Sequence, residues 1–122
     1  MSCLEHQTLD RDTGRSINAN VTHAGEDLVI VVTGGRQPHV GTIVLAQPSG
    51  SDRSGVSCSV MTIPPHKEEA VARPIAESVC KASGQVTVVT AGIHEDNLDT
   101  AGIRVYLDLA QQMASELAER FR

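Results

Sequence analysis

The residues best suited to chemistry follow directly after an apolar segment, in the stretch AGIHEDN at positions 91–97. His94, Glu95, Asp96 and Asn97 place an imidazole, two carboxylates and an amide next to one another. Such groups can bind a divalent metal, hold a proton or recognise a phosphate-bearing ligand. Which of these they do depends on the other polar residues that the fold brings to them.

Two further histidines lie in segments of similar character. The stretch GGRQPHVG at 34–41 contains Gly34, Gly35, Arg36 and His39. The stretch PPHKEE at 64–69 contains His66, Lys67 and Glu68 and precedes an amphipathic segment. The remaining histidines, His6 and His23, belong to no polar cluster.

The hydrophobic pattern predicts five strands and two helices around these segments. Alternating apolar residues at 17–22 and 56–61 indicate half-buried strands, and continuous apolar runs at 28–32 and 42–46 indicate strands covered on both faces. Residues 86–93 are predicted to form the fifth strand. A helical period predicts one helix over 66–83, ended by Gly84, and another that begins at Asp99 or Thr100. The buried stripe predicted for the second helix is Ile103, Leu107, Ala110, Ala114, Leu117 and Phe121.

These elements predict an α/β protein of the α+β type. The five-stranded, mostly antiparallel sheet has the element order β-β-β-β-α-β-α, its first four strands form a meander, and both helices cover one face. Residues 1–14 are predicted to be a flexible arm, and 15–122 a single domain. Because 28–32 and 42–46 are apolar on both sides, we expect the helix-free face to pair with a second copy as a homodimer.

This chain path brings His39, His66 and His94 to the same end of the sheet, beside two helix N-termini. Helix N-termini with nearby cations suit a phosphate, and histidines near neutrality can exchange protons. The candidate cofactor-binding residues are Gly34, Gly35, Arg36, His39, His66, Lys67, Glu68, His94, Asp96 and Asn97. We predict no catalytic residues, since no compact catalytic motif is present.

Two other readings of the same residues remain open. One is a small metal-dependent enzyme that uses His39, His66 and His94 as metal ligands with Asp96 in support. The other is a purely structural subunit whose polar end is a protein interface.

Composition excludes several classes of partner. The formal net charge of −5 and the pI near 5.4 argue against nucleic acid binding, and no apolar run is long enough for a membrane span. Three scattered cysteines without a CxxC pair predict reduced thiols and a cytoplasmic location. Aromatic residues make up only 2% of the chain, so a flat ligand would lie on aliphatic, peptide or imidazole surfaces.

Three segments together resemble a known family. Pro38, His39 and Gly41 carry a PHxG signature; Pro64, His66, Lys67 and Glu68 carry PxHKE; and 91–97 carries AGIHxDN. In order and spacing, residues 15–122 resemble the small D-type subunits that accompany gallate and other hydroxyarylic-acid decarboxylases, the LpdD-like prenylated-flavin chaperones.

The resemblance implies a dimeric α/β protein similar to proteasome-assembly chaperones, without catalysis of its own. It implies a carrier that binds reduced prenylated flavin mononucleotide (FMN) as cargo and loads it into a UbiD-like decarboxylase. It does not say which residues touch the flavin or whether a metal takes part.

Overall fold

The computed structural model describes residues 3–64 and 68–122. Within them lie six strands and two helices. The strands are β1 (Cys3–Leu9), β2 (Ser16–Ala24), β3 (Asp27–Gly35), β4 (Thr42–Ser49), β5 (Gly55–Thr62) and β6 (Thr87–His94). The helices are α1 (Glu69–Ser83) and α2 (Thr100–Arg120). In this part of the chain, neither helix is long and apolar enough to cross a membrane.

All six strands form one mixed sheet in the order β1-β2-β3-β6-β4-β5. β3 and β6 are parallel, and the other neighbouring strands are antiparallel. The predicted five-stranded, mostly antiparallel sheet is therefore wrong in strand number and in pairing, although the α+β class with two helices is confirmed.

The additional strand, β1, comes from residues predicted to form an irregular arm. Its inward-facing side chains include His6 and Thr8, which bond to Glu116 of α2 at 3.0 and 2.6 Å. Thr8 is almost completely buried. A strand whose inner face is polar and satisfied by a helix gives no hydrophobic alternation, and so the sequence pattern missed it.

The predicted four-stranded meander is also wrong, because β6 lies between β3 and β4. The connection from β3 to β4 must therefore cross the upper end of β6, where upper denotes the C-terminal ends of β3 and β6. The crossing lies at Gly92, where a Cβ atom would overlap the carbonyl group of His39. Glycine is needed here because the crossing backbone occupies the place of a side chain.

Both helices pack on one face of the sheet, as predicted. Alternate residues of β2, β3, β6 and β4 form a single core with α1 and α2 that includes Val21, Ile30, Val44 and Val89. α1 contains Pro74 and ends at Gly84 in the left-handed conformation. Asp99 caps α2 by accepting a hydrogen bond from the Gly102 backbone N–H at 2.8 Å, which confirms the predicted helix start.

The face of α2 that meets the core differs from the predicted stripe. The buried residues are Gly102, Tyr106, Leu109, Ala110, Met113, Ala114, Leu117 and Ala118. Ile103 is 48% exposed and Leu107 is half-buried. The buried face of α2 therefore includes small residues and Tyr106, whose hydroxyl donates to Glu95 at 2.8 Å, instead of Ile103 and Leu107.

The opposite face of the sheet is not covered by a helix, and we call it the uncovered face. Residues that are neighbours on adjacent strands form rows across the uncovered face. One row contains Val31, Thr90, Ile43 and Met61, and the next contains Val29, Val88 and Leu45. Val31 is 40% exposed and Met61 is 71% exposed. Apart from Asp27 and His94 at its two ends, this face of β2 to β6 has no charged side chain in the described strands.

Candidate functional site

The upper end of the sheet joins segments that are distant in sequence, and we call it the upper rim: residues 34–41, 91–97 and Glu68. Gly35 is paired with His94 in the β3–β6 register, and the backbone N–H of Arg36 donates to the His94 carbonyl at 2.7 Å. The backbone N–H of Gly41 donates to the Ala91 carbonyl at 2.9 Å. These bonds bring the first and third predicted segments together. His66 and Lys67 of the second segment lie outside the described residues.

His39 and Glu68 form one hydrogen-bonded pair of the upper rim. The His39 ring places Nε2 at 3.1 Å from a Glu68 carboxylate oxygen and Nδ1 at 3.0 Å from the Gln37 carbonyl. Glu68 is buried, and a Cβ atom on Gly41 would press against its carboxylate. Both ring nitrogens of His39 therefore face acceptor atoms, which fixes the orientation of the ring.

His94 and Asp96 form a second pair that is open to solvent. His94 Nε2 lies 2.9 Å from an Asp96 carboxylate oxygen, and the two side chains are 44% and 73% exposed. Asn97 adopts a left-handed backbone conformation, with φ of 58°. This conformation turns the chain from β6 towards α2 and leaves the Asn97 side chain at the surface of the upper rim.

The described residues do not form the metal site that was the alternative reading. In residues 3–64 and 68–122, no group of three or more His, Cys, Asp or Glu side chains is placed to hold a metal ion. His39 is engaged with Glu68 and His94 with Asp96. His66, the third ligand of that reading, lies outside these residues.

The N-terminus of α2 also differs from the expected anion site. The Asp99 carboxylate occupies the N-terminus of α2 through its bond to Gly102, and a carboxylate at that place repels a phosphate. Arg36 is the more suitable anion contact. It is exposed, and among the described residues its side chain has no hydrogen bond or ion pair.

A cluster that the sequence analysis missed adjoins the upper rim. Arg15 binds Glu95 through two nitrogens, with Nε at 3.0 Å and Nη2 at 2.8 Å, and the Tyr106 hydroxyl donates to Glu95 at 2.8 Å. The Arg15 bonds, with help from Tyr106, lower the pKa of Glu95 from 4.5 to about 2. Burial, together with the hydrogen bond to Glu95, raises the pKa of Tyr106 to about 12.

Two signals in the sequence could have pointed to this cluster. Glu95 lies inside AGIHEDN, and Tyr106 is the only tyrosine in the chain. Arg15 was assigned to the boundary of a flexible arm. Because residues 3–9 form a strand antiparallel to β2, the 10–15 turn lies at the same end of the sheet as the upper rim.

Two open cavities meet beside Glu95. One, of about 490 Å³, is lined by residues 13–16, Gly35, Arg36, Glu95 and Tyr106. The other, of about 520 Å³, is lined by Gly35, Arg36 and residues 95–97. They share Gly35, Arg36 and Glu95, and so Arg36 stands at the junction of both.

Comparison with known proteins shows which family this fold and rim belong to. Residues 11–122 match the family described as the prenylated flavin chaperone LpdD-like domain.

The chain belongs to the LpdD-like prenylated flavin chaperone family.

A solved structure, described as a novel chaperone complex for yeast 20S proteasome assembly, is similar to this LpdD-like chain. The TM-score is 0.64 with 14% sequence identity, and the match covers 98% of each chain. At this identity the likeness shows a shared fold alone. No curated protein matches the sequence significantly.

The Glu95 cluster of this LpdD-like chain gives a prediction on pH. A carboxylate with a lowered pKa stabilises the fold above its ordinary value of 4.5, and that contribution is lost as the pH falls towards about 2. The difference in unfolding free energy between wild type and Glu95→Gln should therefore be constant from pH 7 to about 5 and shrink below it. Urea unfolding at a series of pH values measures this difference.

Glu119→Gln provides the matched control, because Glu119 pairs with Arg122 at a side chain that is 68% exposed. The difference in unfolding free energy between Glu119→Gln and wild type should be small at every pH. A Glu95→Gln difference that stays constant down to pH 2.5 would show that ionised Glu95 does not stabilise the fold.

Proposed function

We propose that this protein binds reduced prenylated FMN as cargo and delivers it to a UbiD-like hydroxyarylic-acid decarboxylase, without catalysing a reaction itself. The observation that carries the proposal is the family match over residues 11–122. The exposed Arg36 at the junction of two open cavities supports it, because a dianionic phosphate needs an accessible cation. The protein acts in the cytoplasm, where its thiols stay reduced.

The cargo site of this proposal joins residues of the upper rim with His66 and Lys67. It comprises Gly34, Gly35, Arg36, His39, His66, Lys67, Glu68, His94, Asp96 and Asn97. Arg36 and Lys67 hold the phosphate, and the His39–Glu68 and His94–Asp96 pairs face the flavin ring. Open cavities and a scarcity of aromatic side chains suit a carrier that must release its cargo to a client enzyme.

The carrier is proposed to act as a homodimer that buries the uncovered face. Val31 and Met61 lie in one row of that face and are exposed in the single chain. Exposed contiguous apolar surface marks an interaction site. A two-fold interface places each patch against its own copy, and the uncharged middle of this face brings no like charges together.

Replacing Arg36 and Lys67 tests the phosphate contact. Arg36→Ala should weaken binding of reduced prenylated FMN about fivefold, and the double variant with Lys67→Ala should weaken it further. The dephosphorylated cargo, reduced prenylated riboflavin, should bind the variants and wild type equally. Anaerobic fluorescence titration measures both ligands.

Lys81→Ala serves as the charge-matched control, because Lys81 lies in the last turn of α1 at the opposite end of the sheet. It should leave both affinities unchanged. If Arg36→Ala weakens the binding of both ligands equally, then Arg36 acts through the fold. In that case the phosphate is bound at another position.

Delivery is tested with an apo form of a UbiD-like decarboxylase. Carrier loaded with reduced prenylated FMN should activate the apo enzyme faster than the same concentration of free cofactor. Equal rates from loaded carrier and free cofactor would remove the delivery step from the proposal.

A further inference from the structure

The cavity beside Arg15, Glu95 and Tyr106 is balanced in charge. The Arg15 guanidinium and the Glu95 carboxylate neutralise each other across a two-nitrogen contact, with closest approach of 2.8 Å. Arg36, at the mouth shared with the second cavity, is the cation left over. A phosphate gains little from a neutralised ion pair, so the interior of this cavity suits an uncharged ligand group better.

Its walls nevertheless keep unused hydrogen-bonding capacity. Arg15 binds Glu95 through Nε and Nη2, which leaves the N–H groups of Nη1 for a ligand. The Tyr106 oxygen donates to Glu95 and accepts from Arg15, which leaves it one lone pair with which to accept from a ligand. The Arg15 and Glu95 side chains are 26% and 24% exposed, so a ligand can reach them.

Donors and acceptors that alternate on a neutral wall match the hydroxyl group, which both donates and accepts. The cavity, at about 490 Å³, has room for a short chain of carbon atoms that bear hydroxyls. A chain of this kind that ends in a phosphate would place the phosphate at Arg36, where the two cavities meet.

We propose that the cavity of Arg15, Glu95 and Tyr106 binds the polyol chain of a flavin nucleotide, so that Arg15, held in place by Glu95, donates to its hydroxyls and the Tyr106 oxygen accepts from them. This inference rests on the proposed function, because it places part of the same cargo. The ribityl chain lies in the cavity of Arg15, and its terminal phosphate lies at Arg36, where the two cavities meet.

The probe is ribitol 5-phosphate, which carries the polyol and the phosphate without a ring. In amide NMR spectra of the full chain it should shift the signals of residues 13–16 and of Glu95. Inorganic phosphate should shift only the signals near Arg36. If ribitol 5-phosphate shifts the same signals as inorganic phosphate and no others, the polyol subsite is wrong.

Tyr106→Phe tests the same subsite with the whole cargo. Loss of one hydroxyl should weaken the binding of reduced prenylated FMN and of its dephosphorylated form by the same factor, about fivefold. Arg36→Ala should weaken the binding of the phosphorylated form only. Glu119→Gln is the control, because Glu119 lies in the last turn of α2 and Tyr106 lies near its start. This variant should bind both ligands with the affinity of wild type.

Failure of the inference is distinguishable from failure of the proposed function. If wild type binds reduced prenylated FMN but Tyr106→Phe and Glu95→Gln bind it equally well, the polyol subsite alone is overturned. If wild type does not bind reduced prenylated FMN, the carrier function is overturned, whatever ribitol 5-phosphate does.

Discussion

Gly92→Ala is expected to destabilise the fold by about 3 kcal/mol, the upper end of the usual cost of overpacking. A Cβ atom at this position would overlap the His39 carbonyl group, where the β3–β4 connection crosses β6. Backbone cannot turn aside as a flexible side chain can, so the crossing segment must move as a whole. Urea unfolding of the variant and of wild type measures the loss.

Gly84→Ala is the matched control. Gly84 ends α1 with φ of 72°, and a Cβ atom there would meet nothing within 4 Å. The control therefore has a backbone cost of about 1–2 kcal/mol and no overlap. If Gly92→Ala costs no more than Gly84→Ala, the connection does not pass over Gly92 as described.

Val31→Asp is expected to convert the proposed homodimer into monomers. Val31 lies in the middle row of the uncovered face, paired in register with Thr90. In a two-fold interface the new carboxylate enters twice, and burying like charges costs several kcal/mol. The dimer dissociation constant should rise by at least about a hundredfold, as measured by sedimentation equilibrium.

Ile103→Asp provides the comparison, because Ile103 is 48% exposed on α2 and is not part of the uncovered face. This variant should remain dimeric. Wild type that sediments as a monomer at all micromolar concentrations would end the homodimer proposal, and a dimeric Val31→Asp would move the interface to another surface.

Local pattern was enough to predict most helices and strands, but not their arrangement. The strands that became β3, β4 and β6 are all apolar, and nothing in such runs says that β6 enters between the other two. β1 was missed because its inward side chains, His6 and Thr8, are satisfied by Glu116 rather than by apolar packing. Long-range polar partners of this kind leave no local signal.

Part of the candidate site was also predicted from the sequence, and part was missed. His39 and His94 were expected at one end of the sheet, and the chain does bring their segments together at Gly92 and Gly35. Arg15 and Tyr106 were missed because their importance comes from Glu95, a residue 80 positions from Arg15 and 11 from Tyr106. Only the tertiary fold joins these groups.

Anaerobic titration with reduced prenylated FMN tests the central claim most directly, with ordinary FMN reduced in the same way as the comparison. The account predicts saturable binding at one molecule per chain, preference for the prenylated cofactor, and recovery of the cargo chemically unchanged by mass spectrometry after release. Absence of saturable binding, or recovery of an altered flavin, would contradict a non-catalytic carrier.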